Sequence, residues 1–493
     1  MPKGWNWITG HLLVLQKYVD RIPPDAAVAF AMRDLCQEEF ADTELFLMDF
    51  WPVYPPLFTL FGPEPISQIC NKYNLPKNAV LSKFMEPVTG GPDLLTMNGE
   101  EWKDWRSLFN PGFSTGAMLN NVPHIVDSVL VFRKKLIQMT GRGIFPLDKL
   151  ATKLTTEIIL KVTLDDDSHY QESPNVLATA LGRILSWHSF WDPRVLMHPF
   201  RPLVQKYNGY VVNRYILQEL ERQFQETKTA GAVDGNGMRG KPKSIKSVTA
   251  LALEAYMAGN PEAVSLQNRK LDEHPEWLRK LRDEHDEVFG QDPNAAASIL
   301  KGSPSLLNNC KLTVAFIKET LRMYGPAGTM RSGLPGFTVT DHQGNEQPME
   351  YAGANVLHQA LHLNPRVWPR ANEFLPERFL VGPEHELYPN PAAYRPFEQG
   401  LGNCIGQTLV WNELRVAVVL TCRDLEIRDA YDDFDAKRER EMGVVGKVKK
   451  ALFGQPIRTV HGDRAYQTDS GGLHPADGYP CYVEWARAGQ QTL

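Results

Sequence analysis

Between Arg395 and Gln407 the chain reads Arg-Pro-Phe-Glu-Gln-Gly-Leu-Gly-Asn-Cys-Ile-Gly-Gln. Cys404 sits among glycines, Phe397 precedes it, and an apolar run follows: Leu409, Val410, Leu414, Val416, Val418, Val419 and Leu420. The spacing predicts a loop that enters a helix close to Cys404. A cysteine at that place is set up to bind a metal as thiolate, because the helix dipole and the free backbone N–H groups of the first turn favour the anion. Gly400 and Gly406 let backbone and a flat ligand come together where a side chain would collide, and Phe397 can cover the sulfur from water. The same pattern would also suit a buried structural cysteine in a Gly-rich loop, since a thiol often serves only as a small apolar side chain.

Other residues with chemical use are scattered along the chain. Trp102 and Arg106 are four apart and share a helix face, and the planar fork of Arg106 matches a carboxylate. Glu319 and Arg322, three apart, lie on a segment stopped by Gly325-Pro326. Glu219/Arg222, Glu276/Arg279 and Glu484/Arg487 have the same spacing and read as surface charge. Arg331 follows in Gly-Thr-Met-Arg-Ser-Gly, and Arg378 in Pro-Glu-Arg-Phe. His362 has no second ligand spaced for it and reads as a core or solvated histidine.

Residues 397–406 resemble the haem-binding loop of the cytochrome P450 family, Phe-x-x-Gly-x-Arg-x-Cys-x-Gly. Phe397, Gly400, Cys404 and Gly406 fall on its places, while Gly402 stands where the family has arginine. Trp102/Arg106, Glu319/Arg322, Arg331 and Pro376–Phe379 come in the family's order. The resemblance implies that Cys404 is the axial ligand of haem b iron and the catalytic centre. It also implies that Trp102, Arg106 and Arg331 meet the propionates, that Phe397, Gly400 and Gly406 shape the loop, and that Glu319, Arg322 and Arg378 form a buried structural triad. The implied activity is a haem-thiolate monooxygenase oxidising a hydrophobic small molecule, similar to members in fungal secondary metabolism. Electrons would come from NADPH through NADPH–cytochrome P450 reductase, docked on a basic face for which Lys103 and Arg106 are the visible cations. The implied setting is a monomer at the cytoplasmic face of the endoplasmic reticulum.

The elements that must position these residues read as follows. The 493 residues are 43% hydrophobic and 23% charged, a globular composition. Length alone suggests about three domains at ~150 residues each, but patterns from 102 to 406 converge on one cofactor. The expected fold is therefore one mainly α domain with small β-sheets (α+β) over 1–493. A net charge of −5 gives no basic excess for nucleic acid. Six cysteines without a Cys-x-x-Cys pair argue against a disulfide framework or zinc, and for a reducing compartment. Residues 1–70 read as short helices and Pro-rich turns in a membrane-proximal segment. The apolar run Leu45–Phe61 is interrupted by Asp49, Pro52, Pro55 and Pro56, so it reads as touching a membrane and not as spanning one. No anchor is visible, which leaves a soluble cytoplasmic chain as the other reading. Residues 123–226 read as helical, with Trp187, Phe190 and Trp191 facing either substrate or core. Residues 228–246 read as a flexible Gly-rich loop, 334–357 as hairpins, 409–423 as a helix, 437–450 as a basic solvated loop, and 472–485 as turn plus strand.

Ser247–Met257 and 274–290 read as helices, the second stopped by Gly290. The family places a long helix with Ala-Gly-x-x-Thr before the His-Pro-Glu at 274. Ala258-Gly259-Asn-Pro-Glu-Ala263 approximates that motif, but alanine holds the threonine place and Pro261 would break a helix. The following Val-Ser-Leu-Gln-Asn-Arg-Lys-Leu-Asp reads as too polar for burial. A crossing helix would need on the order of 30 residues at 1.5 Å each. The expectation is an incomplete distal side lacking the oxygen-activating helix. With Gly402, it sustains an alternative: a truncated, catalytically defective relative that binds haem weakly.

Overall fold

The computed structural model describes residues 1–189, 193–231, 261–325, 328–350, 352–443, 457–469 and 473–486. Helices dominate and the strands are short. The chain begins with α1 (Leu12–Val19) and α2 (Val28–Glu39), then β1 (Leu45–Met48) and β2 (Leu57–Leu60) as an antiparallel pair. The apolar run expected at a membrane is thus a hairpin turned inward. Leu45, Phe46, Met48, Leu57, Phe58 and Leu60 are buried, and only the tip exposes Trp51 and Val53. The continuous apolar pattern has a physical cause: β2 pairs in parallel with another strand and is covered on both faces.

The middle of the chain supplies α3 (Gly99–Phe109), α4 (Val122–Met139), α5 (Leu147–Leu164), α6 (Val176–Ser186) and α7 (Arg201–Gly231). Helix α7 takes up the first residues of the expected 228–246 loop. Residues 232–246, Ser247–Met257, Ala258-Gly259, Phe190 and Trp191 lie outside the described residues. Trp187 is half-buried, with His198 edge-on at 4.7 Å.

The segment judged too polar for burial forms α8 (Pro261–Glu273). Glu262, Ser265, Gln267, Asn268 and Lys270 are all buried along with Ala263, Val264 and Leu266. The helix packs on α5 and on later core helices. The described part of this helix begins at Pro261, and the expected absence of a crossing helix falls on residues that lie outside the described ones.

Next come α9 (Pro275–Phe289), ended at Gly290 with φ 77°, and α10 (Lys311–Met323). Strands β3 (Thr329–Ser332), β4 (Thr338–Thr340), β5 (Glu346–Pro348) and β6 (Gly353–Val356) follow. They give a four-stranded sheet ordered β1-β2-β6-β3 and a separate β4–β5 hairpin. Then come α11 (His358–His362), α12 (Gln407–Thr421), β7 (Leu425–Asp429) and α13 (Tyr431–Arg440). Strands β8 (Gln467–Asp469), β9 (Leu473–Pro475) and β10 (Pro480–Trp485) close the fold. Helix α13 replaces the first part of the expected basic loop. Asp432 and Asp433 open it and Lys437, Arg438 and Arg440 end it, the charge order a helix dipole favours; residues 444–450 lie outside the described residues.

Helix α12 is the centre of the core. Leu409, Val410, Leu414, Val416, Ala417, Val418 and Val419 are buried, and only the side that carries Gln407, Trp411 and Arg415 is partly open. Glu413 is the exception in type. It is fully buried, its one hydrogen bond comes from the Thr155 hydroxyl, and burial pushes its carboxyl up to about 8. A carboxyl that holds its proton more tightly folded than unfolded stabilises the fold fully below the ordinary carboxylate range and loses that contribution as pH rises through about 8. Glu413→Gln cannot ionise. Its thermal midpoint is expected to exceed that of the wild type by ~2 °C or more at pH 9 and to match it at pH 5. Parallel melting curves across that range check this.

Candidate functional site

The loop before α12 is held by buried polar groups on its inner side. The Arg395 N–H donates to His362 Nε2 at 2.9 Å, and Arg395 Nη2 donates to Asn71 Oδ1 at 2.8 Å. The Arg395 guanidinium also pairs with Glu398. Glu398 accepts as well from His358 Nε2 at 3.0 Å. Burial pushes the Glu398 carboxyl up, and His358 and Arg395 more than reverse this, holding it down to about 2. These bonds keep Glu398 at φ 57°, a left-handed conformation unusual for a side-chain-bearing residue. Gly400 is left-handed too, at φ 72°, and a Cβ there would come 3.1 Å from Asn71 Nδ2.

A short 3-10 turn, Gly400–Gly402, carries the chain to Asn403 and Cys404, and Gly406 caps α12. The Cys404 N–H donates to the Phe397 carbonyl at 2.9 Å and closes the loop. Phe397 is buried, its ring edge-on to Trp411 of α12 with centroids 6.0 Å apart. Cys404 is part-exposed, whereas the other five cysteines are buried. This is the one thiol that the fold offers outward, at a helix N-terminus.

Glu319, Arg322 and Arg378 are brought together with no side-chain exposure. Arg322 forks onto Glu319 through Nε and Nη2, both at 2.8 Å, and Arg378 Nε reaches Glu319 Oε1 at 3.1 Å. The remaining donors of Arg322 go to the carbonyls of His362, Ala371 and Glu373. His362 therefore joins the triad to the cysteine loop: its carbonyl accepts from Arg322 and its ring accepts from the Arg395 N–H. Burial, then His358 and Arg322, push its pKa well below the ordinary histidine value, so the ring is neutral. Sequence reading set His362 aside as a core histidine; its four-residue spacing from His358 was the available signal.

Arg106 Nη2 donates to Asn403 Oδ1 at 3.0 Å and so reaches the residue beside Cys404. Trp102 is turned to another use. Its indole N–H donates to the Leu94 carbonyl at 3.1 Å, while its ring lies 5.9 Å from Arg106 Cζ. Arg331 on β3 is 3% exposed. Its Nη1 donates to the Leu75 carbonyl at 3.0 Å and its Nε is buried with no partner. A Cβ built on Gly402 would stand 2.9 Å from Arg331 Nη2.

Three further features escaped sequence reading. Lys318 and Arg415 border a hollow of about 630 Å³ on the face of the cysteine loop, with Asn403, Gln407 and Trp411. Glu262, at the start of α8, accepts from Gln467 Nε2 at 3.0 Å, and burial pushes it up to about 8. A third cluster, Glu284, His285 and Cys310, has the donor types of a metal site. The Glu284 oxygens, however, already accept from the N–H groups of Leu312 and Thr313 and from the Thr313 hydroxyl, which makes it a cap for α10.

The donor set at the loop suits an iron porphyrin. It has one soft sulfur on a glycine-lined turn, with the Arg331 guanidinium against that turn and an unsatisfied N–H among its donors.

The profile of the family described as Cytochrome P450 matches residues 32–259 and 269–453. The chain is 36% identical to cytochrome P450 monooxygenase polC of Polytolypa hystricis, over 97% of this chain and 88% of that protein. It is 26% identical to cytochrome P450 monooxygenase acrF of Aspergillus aculeatus, over 92% and 96%. Among solved structures, the cytochrome P450DA heme domain superposes with a TM-score of 0.71 at 17% identity, over 97% of this chain and 94% of that one.

Removing Glu319 would leave two buried guanidinium groups without their anion. Glu319→Ala is expected to lose ~3–5 kcal/mol, read as a lower urea midpoint. Arg370→Ala breaks the exposed Arg370–Glu373 pair and should leave the urea midpoint where the wild type has it.

Proposed function

The chain belongs to the cytochrome P450 family, and from that premise we propose that it is a haem-thiolate monooxygenase of fungal secondary metabolism with Cys404 as the axial ligand. The observation that carries the ligand assignment is the presentation of Cys404, the one cysteine held outward, by its own N–H on the Phe397 carbonyl at the foot of α12. When bound, haem b held by thiolate supplies the activation of dioxygen that inserts one oxygen atom into a hydrophobic small molecule. The chain's own residues position and shield. Phe397 covers the sulfur side, Gly400 and Gly406 keep the turn slim, and Arg331 and Arg106 supply cations for the cofactor's carboxylates. Trp102 supports Arg106 by stacking. The Glu319–Arg322–Arg378 triad holds the segment from which the loop departs. We read 1–493 as one catalytic unit acting as a monomer.

NADPH, by way of a flavoprotein reductase, is the electron source this reading requires. Lys318 and Arg415, at the hollow beside the loop, join Lys103 and Arg106 as the cations for its docking. The reading as a defective relative rested on an expected missing crossing helix and on Gly402. The polar segment that helped to suggest the absence is a buried helix, the space beside Gly402 holds another guanidinium, and the monooxygenase relatives favour the active reading.

Among the described residues no helix is long and apolar enough to cross a membrane. A peripheral contact is supported by an apolar patch on two neighbouring loops: Trp7 is 76% and Trp51 57% exposed, and Trp5, Ile8 and Val53 are exposed with them. Asp49 ties the loops together by accepting from the Trp5 indole and the Trp51 N–H. Indole rings on a surface suit a lipid–water boundary, consistent with the cytoplasmic face of the endoplasmic reticulum.

Two outcomes are expected. Purified protein reduced under carbon monoxide gives a thiolate-type Soret band, and Cys404→Ser loses it; an unchanged band in the variant refutes the ligand assignment. In flotation with phosphatidylcholine vesicles, Trp7→Ser combined with Trp51→Ser lowers the bound fraction by ~tenfold relative to wild type.

A further inference from the structure

The hydrogen bond that closes the cysteine turn runs from the Cys404 N–H to the Phe397 carbonyl, at 2.9 Å. That carbonyl lies in the peptide plane shared by Phe397 and Glu398, and a peptide plane turns as one piece. For a given course of the chain after Glu398, φ at 398 therefore decides where the Phe397 carbonyl points. The observed φ is 57°. At an ordinary right-handed φ the plane would be turned by about 120°, and its carbonyl would leave the Cys404 N–H. Glycine adopts a left-handed φ freely, whereas a residue with a Cβ visits it seldom and at a cost. The Glu398 side chain offsets that cost. Its Oε1 accepts from Arg395 Nε at 2.5 Å and from the Gln399 N–H at 3.0 Å, both within the loop. Its Oε2 accepts from His358 Nε2 at 3.0 Å. His358 is 2% exposed and opens α11, just after β6 of the four-stranded sheet. One carboxylate thus joins the turn to a buried element 40 residues back. Position 398 is open in the family's Phe-x-x-Gly pattern and His358 lies outside it, so the resemblance gives neither a role.

We propose that Glu398 and His358 are positioning residues for Cys404: the carboxylate, clamped by the imidazole, locks φ at 398 and so aims the Phe397 carbonyl at the Cys404 N–H. The inference rests on the haem-thiolate reading for its consequence, because the N–H so fixed belongs to the residue assigned as ligand. Neither side chain touches the sulfur in this account. They act through one peptide plane, and a left-handed backbone at 398 is not enough without the carboxylate that holds it there.

Two readouts on the purified full chain test this. Hydrogen exchange at the Cys404 amide reads the lock, and the band of the reduced protein under carbon monoxide reads its consequence. In His358→Phe, which leaves the Arg395–Glu398 pair in place, the Cys404 amide should exchange ~tenfold faster or more. Part of the thiolate-type band should be lost with it. His358→Gln keeps a donor for Glu398 and should recover most of both. Glu398→Gly separates the lock from the shape: glycine accepts a left-handed φ without strain but brings no carboxylate, so its Cys404 amide should exchange as fast as in His358→Phe. The Val416 amide, deep in α12, is the internal reference and should keep its rate. Where Glu398→Gly strands Arg395 and folds poorly, as a urea curve shows, the contrast between His358→Phe and His358→Gln carries the test alone. The proposal is overturned if His358→Phe leaves the Cys404 amide at the wild-type rate. It is overturned too if Glu398→Gly exchanges like wild type, or if Val416 accelerates as much as Cys404. Cys404→Ser separates this from the parent reading. If that variant keeps the wild-type band, the haem-thiolate reading fails while the amide rates still decide the lock. If the band depends on Cys404 and the amide rate does not depend on His358, only the lock is wrong.

Discussion

Behind the cysteine loop this fold buries arginines, and a guanidinium cannot shed its charge to escape the cost. Arg322, Arg378 and Arg395 have no exposure at all. Every donor must therefore find an acceptor, and each acceptor found fixes a piece of backbone. Glu319 serves two of the three cations, and carbonyls from 362 to 373 take most of the remaining donors. Such a cluster contributes little net stability compared with an apolar core of the same size. Its effect is positional, because a shift of the loop by one hydrogen-bond length would strand a charge.

His362 shows how that constraint reaches the cysteine. Its ring can accept from the Arg395 N–H only while it is neutral, and burial beside Arg322 and His358 keeps it neutral. Tyr394 stacks on it and Trp368 stands edge-on to it, so the ring cannot turn away. The Trp368 face in turn lies under Arg322 and Arg378, at 5.3 and 5.7 Å. Triad, aromatic block and loop form one rigid body, in which Glu398 tolerates a strained φ because two cations hold its carboxylate.

Much of this was legible in the sequence because it is local. Glycine and cysteine spacing marked the turn and the apolar run marked α12. The triad was expected from the family resemblance alone, because Glu-x-x-Arg occurs elsewhere in the chain as surface charge. What was not legible depends on partners distant in the chain. Helix α8 looked too polar to bury, yet Gln467 reaches Glu262 and Asp463 reaches Arg269. No average over neighbouring residues anticipates a partner two hundred positions away. In the run Leu45–Phe61 the buried apolar residues answer to strand β6, three hundred residues on, while Trp51 and Val53 at its tip stay exposed. Asp49 and the three prolines marked the turn between its two strands.

The two sides of the molecule treat polar burial differently. On the cysteine side the carboxylates of Glu319 and Glu398 are paired on both oxygens. Along α8 and against it, Glu262 Oε2, Ser265 Oγ, Gln267 Oε1 and Gln359 Oε1 are buried without partners. Each such atom costs ~1–3 kcal/mol if nothing meets it, and native folds keep few of them outside functional regions. The cysteine side completes its carboxylates but leaves nitrogens open, since Arg331 Nε, His358 Nδ1 and His362 Nδ1 are buried without partners as well. Along α8, Glu262 Oε2, Ser265 Oγ and Gln267 Oε1 are open oxygens, and burial pushes the Glu262 carboxyl up to about 8, so that it stays neutral and leaves no uncompensated anion beside them.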